Sequence, residues 1–392
     1  MARIFAKQTK YRKKTPLPHR GEVLLTIAPL IFLTACSAEP EATPTYHATE
    51  NPALLSDWGM IDVRDKTLRL SDGVTPYDLA TPLFSDYALK LRTVWTPGGA
   101  PATYNAETAF AFPVGTIITK TFYYPTQSDG ANGDVTYGRE RTVSAGMMAL
   151  DGLRLIETRI LVHRDAGWEA MAYLWNDDQT DAELKRAGAI VPLTLHRPDG
   201  RAEPFGYLVP NANQCAGCHA TNATTKAIQP IGPKARHLNK SSTFAAGFNQ
   251  LDHWIAKGLL TEAVADGAPR NAVWNDESEP LGDRARAYLD ANCSHCHNPN
   301  GPADTSGLDL EPDAAGAALG VCKTPIAAGT GTGGRVHGIE PGAPDRSILI
   351  FRMETTNPGA MMPELGRAVT HEEGVALVSE WIAEMDGSCQ QQ

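Results

Sequence analysis

The pentapeptide Cys-x-x-Cys-His occurs twice in this chain, as Cys215-Ala-Gly-Cys218-His219 and as Cys293-Ser-His-Cys296-His297, and uses four of its seven cysteines. Composition alone predicts roughly 0.003 chance matches over the whole length. The pattern is that of c-type haem attachment: two thiols three positions apart add across the vinyl groups of one porphyrin, and the adjacent His lies beneath the iron. Two covalent haem c groups are therefore expected, on Cys215 and Cys218 and on Cys293 and Cys296, with His219 and His297 as iron ligands. Two other chemistries use the same thiols: a redox-active Cys-x-x-Cys pair, or a four-thiolate zinc site closing across the 74 residues between Cys218 and Cys293. Neither explains a His after both pairs.

Haems of this type are attached outside the cytoplasm, and the start of the chain reads as an export signal. Lys7, Lys10, Arg12, Lys13, Lys14 and Arg20 precede an apolar run over 23–32 that is interrupted by Pro29 and too short to span a bilayer comfortably. The run ends in Leu33-Thr34-Ala35-Cys36, which resembles the lipobox of bacterial lipoproteins. Residues 1–35 are thus expected to be a cleaved signal peptide and Cys36 to carry acyl chains, placing the protein on the periplasmic side of a membrane in a bacterial cell envelope. The competing reading is an ordinary signal with Cys36 a bystander. Cys322 and Cys389 remain; in an oxidising compartment a leftover pair suggests a disulfide, with two unpaired thiols as the alternative.

Residues 1–35 remove seven of the 35 basic residues and one of the 45 acidic ones, leaving a mature formal charge of −16. Such a surface makes nucleic acid an improbable partner and suits a basic redox protein, although acidity serves solubility equally well. The stretch 36–56, rich in Pro, Glu, Ala and Thr, reads as a flexible linker. Residues 57–210 read as a mainly β domain, a sandwich or twisted sheet. It has a β-branched and aromatic run over 110–124, paired strands over 153–162 and 168–175, and a second pair over 191–195 and 205–209 around Pro198-Asp199-Gly200. Within it the acidic cluster 176–181 suits either calcium or, preferably, the capped start of a short helix over 182–186.

The rest is expected to be mainly α: a first haem-binding segment over 211–278, then a cytochrome c-like domain with the second haem over 279–392. Residues 283–292 have helical composition and run into Cys293. Thr370-His371-Glu372-Glu373 has the form of a capping box, followed by Val375, Leu377, Val378, Trp381, Ile382 and Met385 at helical spacing. Between these helices Met362-Pro363 resembles the distal-ligand loop of class I cytochromes c. Met362 is expected as the sixth ligand of the second haem, with Met361 and Met353 in reserve and core packing as the alternative role. No Met lies between Met171 and Met353. The first haem must therefore use His237 or His253, reach back to Met147, Met148, Met171 or His163, or leave its sixth position open.

Taken together, Tyr207-Leu208-Val209-Pro210 before the first motif, Ile231-Gly232-Pro233-Lys234 with Leu238-Asn239 after it, and 284–289 before the second resemble a family of exported dihaem c-type cytochromes. The segments 156–159 and 173–176 fit the same pattern, so the resemblance spans about 55–390. It implies the six attachment and ligand residues already named and an association with a parallel β-helix protein, without a settled reaction. Two readings follow. The first is an electron-transfer protein working between a periplasmic donor and an acceptor. The second is a dihaem peroxidase-type oxidoreductase with an open first iron, for which His163, His196, His237 or His253 would supply protons.

Overall fold

The computed structural model describes residues 43–127, 133–261, 267–326 and 329–389. The signal peptide and the lipidation residue Cys36 lie outside them. Among the described residues twelve strands build three sheets, followed by seven α-helices. The strands are β1 Ile61–Arg64, β2 Thr67–Leu70, β3 Thr75–Tyr77, β4 Leu89–Trp95, β5 Ile117–Pro125, β6 Asp134–Thr136, β7 Met147–Ala149, β8 Leu153–Arg164, β9 Gly167–Trp175, β10 Ala182–Leu184, β11 Ala189–His196 and β12 Ala202–Val209. The helices are α1 Ala212–His219, α2 Ala235–Leu238, α3 Gln250–Ala256, α4 Leu281–Leu289, α5 Gly316–Leu319, α6 Ile348–Glu354 and α7 Glu372–Ala383.

A six-stranded antiparallel sheet, in the order β10-β9-β8-β5-β4-β3, forms the centre of the β-rich region. Side chains alternate across a strand, so each strand feeds two cores. From β5, Ile117 and Tyr123 join Trp58, Met60, Leu68 and Met148, beside the small sheet β1-β2-β7. On the opposite face Ile118 packs with Trp254, Leu251 and Leu238 from the segment 211–278. Further along that face Phe122 and Tyr124 pack with Leu193, Leu195 and Tyr207 of the third sheet, β12-β11-β6. Lys120 stands between these two apolar patches.

Both expected strand pairs form. β8 and β9 turn back at Arg164↔Gly167, and β11 pairs with β12 from Ala189↔Val209 to His196↔Ala202. Three local expectations need correction. The segment after the acidic cluster is strand β10, not a helix: Asn176 Oδ1 accepts from Thr180 N at 2.9 Å and closes a turn that lays Ala182 against Trp175. The linker is part of the folded body from Thr43, because Leu55 is buried and Arg164 donates to the carbonyls of His47 and Glu50 at 3.0 and 2.6 Å. The capping box does not form either. Thr370 Oγ1 donates to Glu354 O, while the Tyr87 hydroxyl accepts from Glu372 N at 3.1 Å and donates to Glu373 Oε2 at 2.6 Å.

In the C-terminal region α7 packs its Val375, Leu377, Val378 and Ile382 with Ala285, Tyr288 and Leu289 of α4. Cys322 and Cys389 form a disulfide that ties the segment after α5 to the chain beyond α7. No described helix is long and apolar enough to cross a membrane. The turn before β4 holds the two regions together: Asp86 Oδ1 accepts from Ala368 N at 2.6 Å and Val369 N at 2.9 Å, and Phe84 stacks on His371 at 4.2 Å.

Burial pushes the Asp86 carboxyl up to about 6, against the opposing pull of the Val369 and Ala368 amides and of Arg367 and Lys90. A carboxyl raised in the folded state favours its protonated form there. Its contribution is full below the ordinary value of 3.8 and is lost as pH rises to about 6, a change on the order of 3 kcal/mol. Urea unfolding across that window is expected to show this decline, and Asp86→Asn is expected to flatten it.

Candidate functional site

Each pentapeptide lies on a helical turn, which sets residues three and four apart on one side. For the first, Asn211 caps α1: its Oδ1 accepts from Gln214 N at 3.0 Å and Gln214 Oε1 accepts from Asn211 N at 2.9 Å. This Asn-x-x-Gln box was legible in the sequence and unread. For the second, α4 widens into a π-helical turn over Asp290–Ser294, and His297 N donates to Cys293 O at 2.9 Å. Cys215, Cys218, Cys293 and Cys296 are all free thiols. Burial pushes Cys215 up to about 11 and Cys293 and Cys296 up to about 12, and raises Cys218, so the thiols stay protonated at neutral pH. A redox-active pair shifts the other way.

The two imidazoles are held alike. His219 Nδ1 lies 2.7 Å from Gln229 O, a carbonyl that only accepts, so Nδ1 carries the proton. His297 Nδ1 lies 3.1 Å from Ser306 Oγ, whose own proton goes to Ala303 O at 2.7 Å. His297 must therefore also donate through Nδ1. Burial pulls both rings down to about 4. At neutral pH each is uncharged with its Nε2 lone pair uncommitted, the state that iron ligation through Nε2 requires.

His297, Cys293 and Cys296 border a cavity of about 620 Å³. Leu308, Leu310, Ile339, Ile348 and Val375 supply apolar wall, and Met362 and Met353 reach the same cavity; Met361 does not line it. That volume is within the ~300–1,000 Å³ of ligand clefts. Donor set, apolar wall and size all fit a haem. Cys218 and Gly217 reach this cavity as well, and Cys296 Sγ lies 3.6 Å from Gly217 O, so the two motifs abut.

His219 instead lines a recess of about 100 Å³ between its own segment and the six-stranded sheet. The donor set fits a haem, whereas the volume is below the range of ligand clefts, so attachment at Cys215 and Cys218 requires the recess to widen. Of the candidates for its sixth ligand, His237 alone lines the recess. Met148 and Met171 belong to the core beside Trp58, and Met147 is exposed. His163 Nδ1 donates to Phe112 O and its ring stacks on Trp168, His196 faces Asp134, and His253 neighbours Phe248.

His237 is buried beside Asp290, its Nε2 3.6 Å from Asp290 Oδ2. Arg236 grips that carboxylate with Nε at 2.8 Å and Nη2 at 2.9 Å, and Asn271 and Ser294 add bonds at 2.7 and 2.8 Å. Burial alone would push Asp290 up; the Arg236 bonds outweigh it and hold the carboxyl well below the usual range. Arg92, Lys120 and Arg159 form the sheet side of the recess. Burial, and then the charges of Arg92 and Arg159, press the Lys120 ammonium well below its usual range. Sequence reading missed both groups. Among the described residues no three His, Cys, Asp or Glu side chains converge as a metal-ion ligand set.

No family model matches the chain, and no curated protein or solved structure matches it. The functional reading therefore stands on the geometry of the two motifs.

Asp290→Ala is expected to destabilise the protein by about 3–5 kcal/mol, because it leaves Arg236 buried and unpaired. Adding Arg236→Met should recover most of the loss in denaturant unfolding. Independent effects that simply add would contradict the pairing.

Proposed function

We propose that the protein is an exported, lipid-anchored dihaem c-type cytochrome that carries electrons between a periplasmic donor and an acceptor and performs no bond chemistry itself. The observation that supports this best is the repeated imidazole geometry. Two Cys-x-x-Cys-His turns each present a neutral His whose Nδ1 proton is already committed, to Gln229 O in one case and Ser306 Oγ in the other. Bound haem supplies a one-electron iron couple. The residues of the chain attach it, fix its proximal ligand and exclude water.

In this reading the helices around the larger cavity would act as a cytochrome c-like domain, His297 and Met362 would hold its iron, and His219 and His237 would hold the other. Abutting motifs keep the two redox sites adjacent, so exchange between them needs no rearrangement of domains. Export through residues 1–35, anchoring through Cys36 and placement at the periplasmic side of an envelope membrane belong to the same proposal. So do a basic redox partner, suited to the acidic surface, and the parallel β-helix protein implied by the resemblance.

The peroxidase-type alternative draws on one observation. His237, with the Arg236–Asp290 pair behind it and Arg92 in the same recess, offers the polar groups that O–O heterolysis needs. Electron paramagnetic resonance and near-infrared magnetic circular dichroism of the oxidised protein separate the readings. Two low-spin irons, one His/Met and one bis-His, are expected for electron transfer; a high-spin iron that responds to peroxide would favour the enzyme. Met362→Ala is expected to lower the midpoint potential of one haem only, by on the order of 100 mV within the ~0.8 V that axial ligation commands. Unchanged titrations of both haems would remove Met362 from the assignment.

A further inference from the structure

The sheet face that meets residues 211–278 carries four cations, Lys90, Arg92, Lys120 and Arg159, against one carboxylate in ion-pair reach among the described residues. Register sets Arg92 of β4 beside Lys120 of β5, and Lys120 beside Arg159 of β8. Lys90 follows on the same face, opposite Phe122. The Phe122 ring receives Lys90, Lys120 and Arg159 at 5.8, 4.9 and 4.4 Å from its centre. Only Arg159 has a carboxylate in ion-pair reach among the described residues, Glu157, whose Oε1 lies 3.0 Å from its Nε and also accepts from the Tyr207 hydroxyl; Glu140 and Asp86 act on Lys90, and Glu157 on Lys120, only at longer range. Lys90 Nζ donates to Ala88 O at 2.7 Å. Lys120 makes no hydrogen bond or ion pair with a described residue, and Arg92 is 3% exposed with Nη2 lacking any partner.

Like charges directly opposed across strands weaken a sheet, and a cation buried without a partner weakens folding more. The two apolar patches on either side of the row show what the same sheet face holds when only packing is at stake. The cations are not scattered: Arg92, Lys120 and Arg159 all line the recess that His219 and His237 share.

We propose that Arg92, Lys120 and Arg159 form an anion-binding site that takes carboxylate groups in the recess beside His219. Guanidinium forks at both ends and a movable ammonium between them suit carboxylate oxygens. Neighbouring strands lie about 4.8 Å apart, so the row spans roughly 10 Å. The carboxylates it takes enter a recess of about 100 Å³. They have two possible sources: the propionates of a haem attached at Cys215 and Cys218, which rests on the proposed function, or a soluble dicarboxylate, which does not.

The test uses the exported full-length protein and its Lys120→Met, Lys120→Gln and Arg92→Met variants. Calorimetric titration with malonate, against choline chloride at matched ionic strength, is combined with the pH dependence of the midpoint potential of the first haem. If the site serves a soluble anion, the wild type binds one malonate and each variant binds it at least ~10-fold more weakly, the loss of one charge-assisted hydrogen bond. If it serves propionates, the wild type ignores malonate, and each variant moves the proton uptake linked to the first haem to higher pH while the second haem is unaffected. No malonate binding together with superimposable potential profiles would overturn the site. Should the protein carry no haem on Cys215 and Cys218, the proposed function fails and the propionate source with it. The malonate titration then decides the site alone.

Discussion

An α-helical turn places residues three and four positions apart on one side, and the constraint organising this molecule is that two such turns must each present a pair of thiols and an uncharged imidazole together. Backbone hydrogen bonding within the turn supplies the spacing. It does not supply the tautomer. That comes from outside the turn, from Gln229 O for His219 and from Ser306 Oγ for His297, and both acceptors belong to loops that follow their motifs by about ten residues. Each motif therefore depends on its downstream loop folding back over it.

The surrounding architecture keeps those loops and turns in place. Asp290, three residues before Cys293, is bonded to Arg236 of α2, so the turn that carries the second motif is fixed by the chain that follows the first. The β-rich region joins both: Phe84 N donates to Asn292 Oδ1 at 2.7 Å, and Asp86 receives the amides of Ala368 and Val369. These contacts bury charge, which weakens folding unless each ion is matched. At Asp290 the match is complete; among the described residues Arg92 and Lys120 have no ion-pair partner, and both line the recess of His219.

What could be read from the sequence was local. The two motifs, the β8–β9 and β11–β12 hairpins, the apolar spacing of α7 and the pairing of the last two cysteines each depend on short patterns or on simple counting. What could not be read depends on register or on competition for partners. The cation row requires β4, β5 and β8 to be aligned, which no single strand reveals. Thr180 and Asp181 have capping side chains, yet Asn176 uses the Thr180 amide to close a turn and sends the chain into β10. Thr370 and Glu373 have the capping-box spacing, but the Tyr87 hydroxyl, from far upstream, takes the place of the cap. Singling out His237 as the candidate that shares a recess with His219 likewise needs the sheet in position.

The central claim, that both turns carry covalent haem, is tested most directly by the intact mass and haem content of the protein exported by a host that attaches c-type haem. The account predicts two covalent haems per chain, one lost with Cys215→Ala and Cys218→Ala and the other with Cys293→Ala and Cys296→Ala. A mature chain without haem, with its four motif cysteines free, paired with each other or holding zinc, would contradict it.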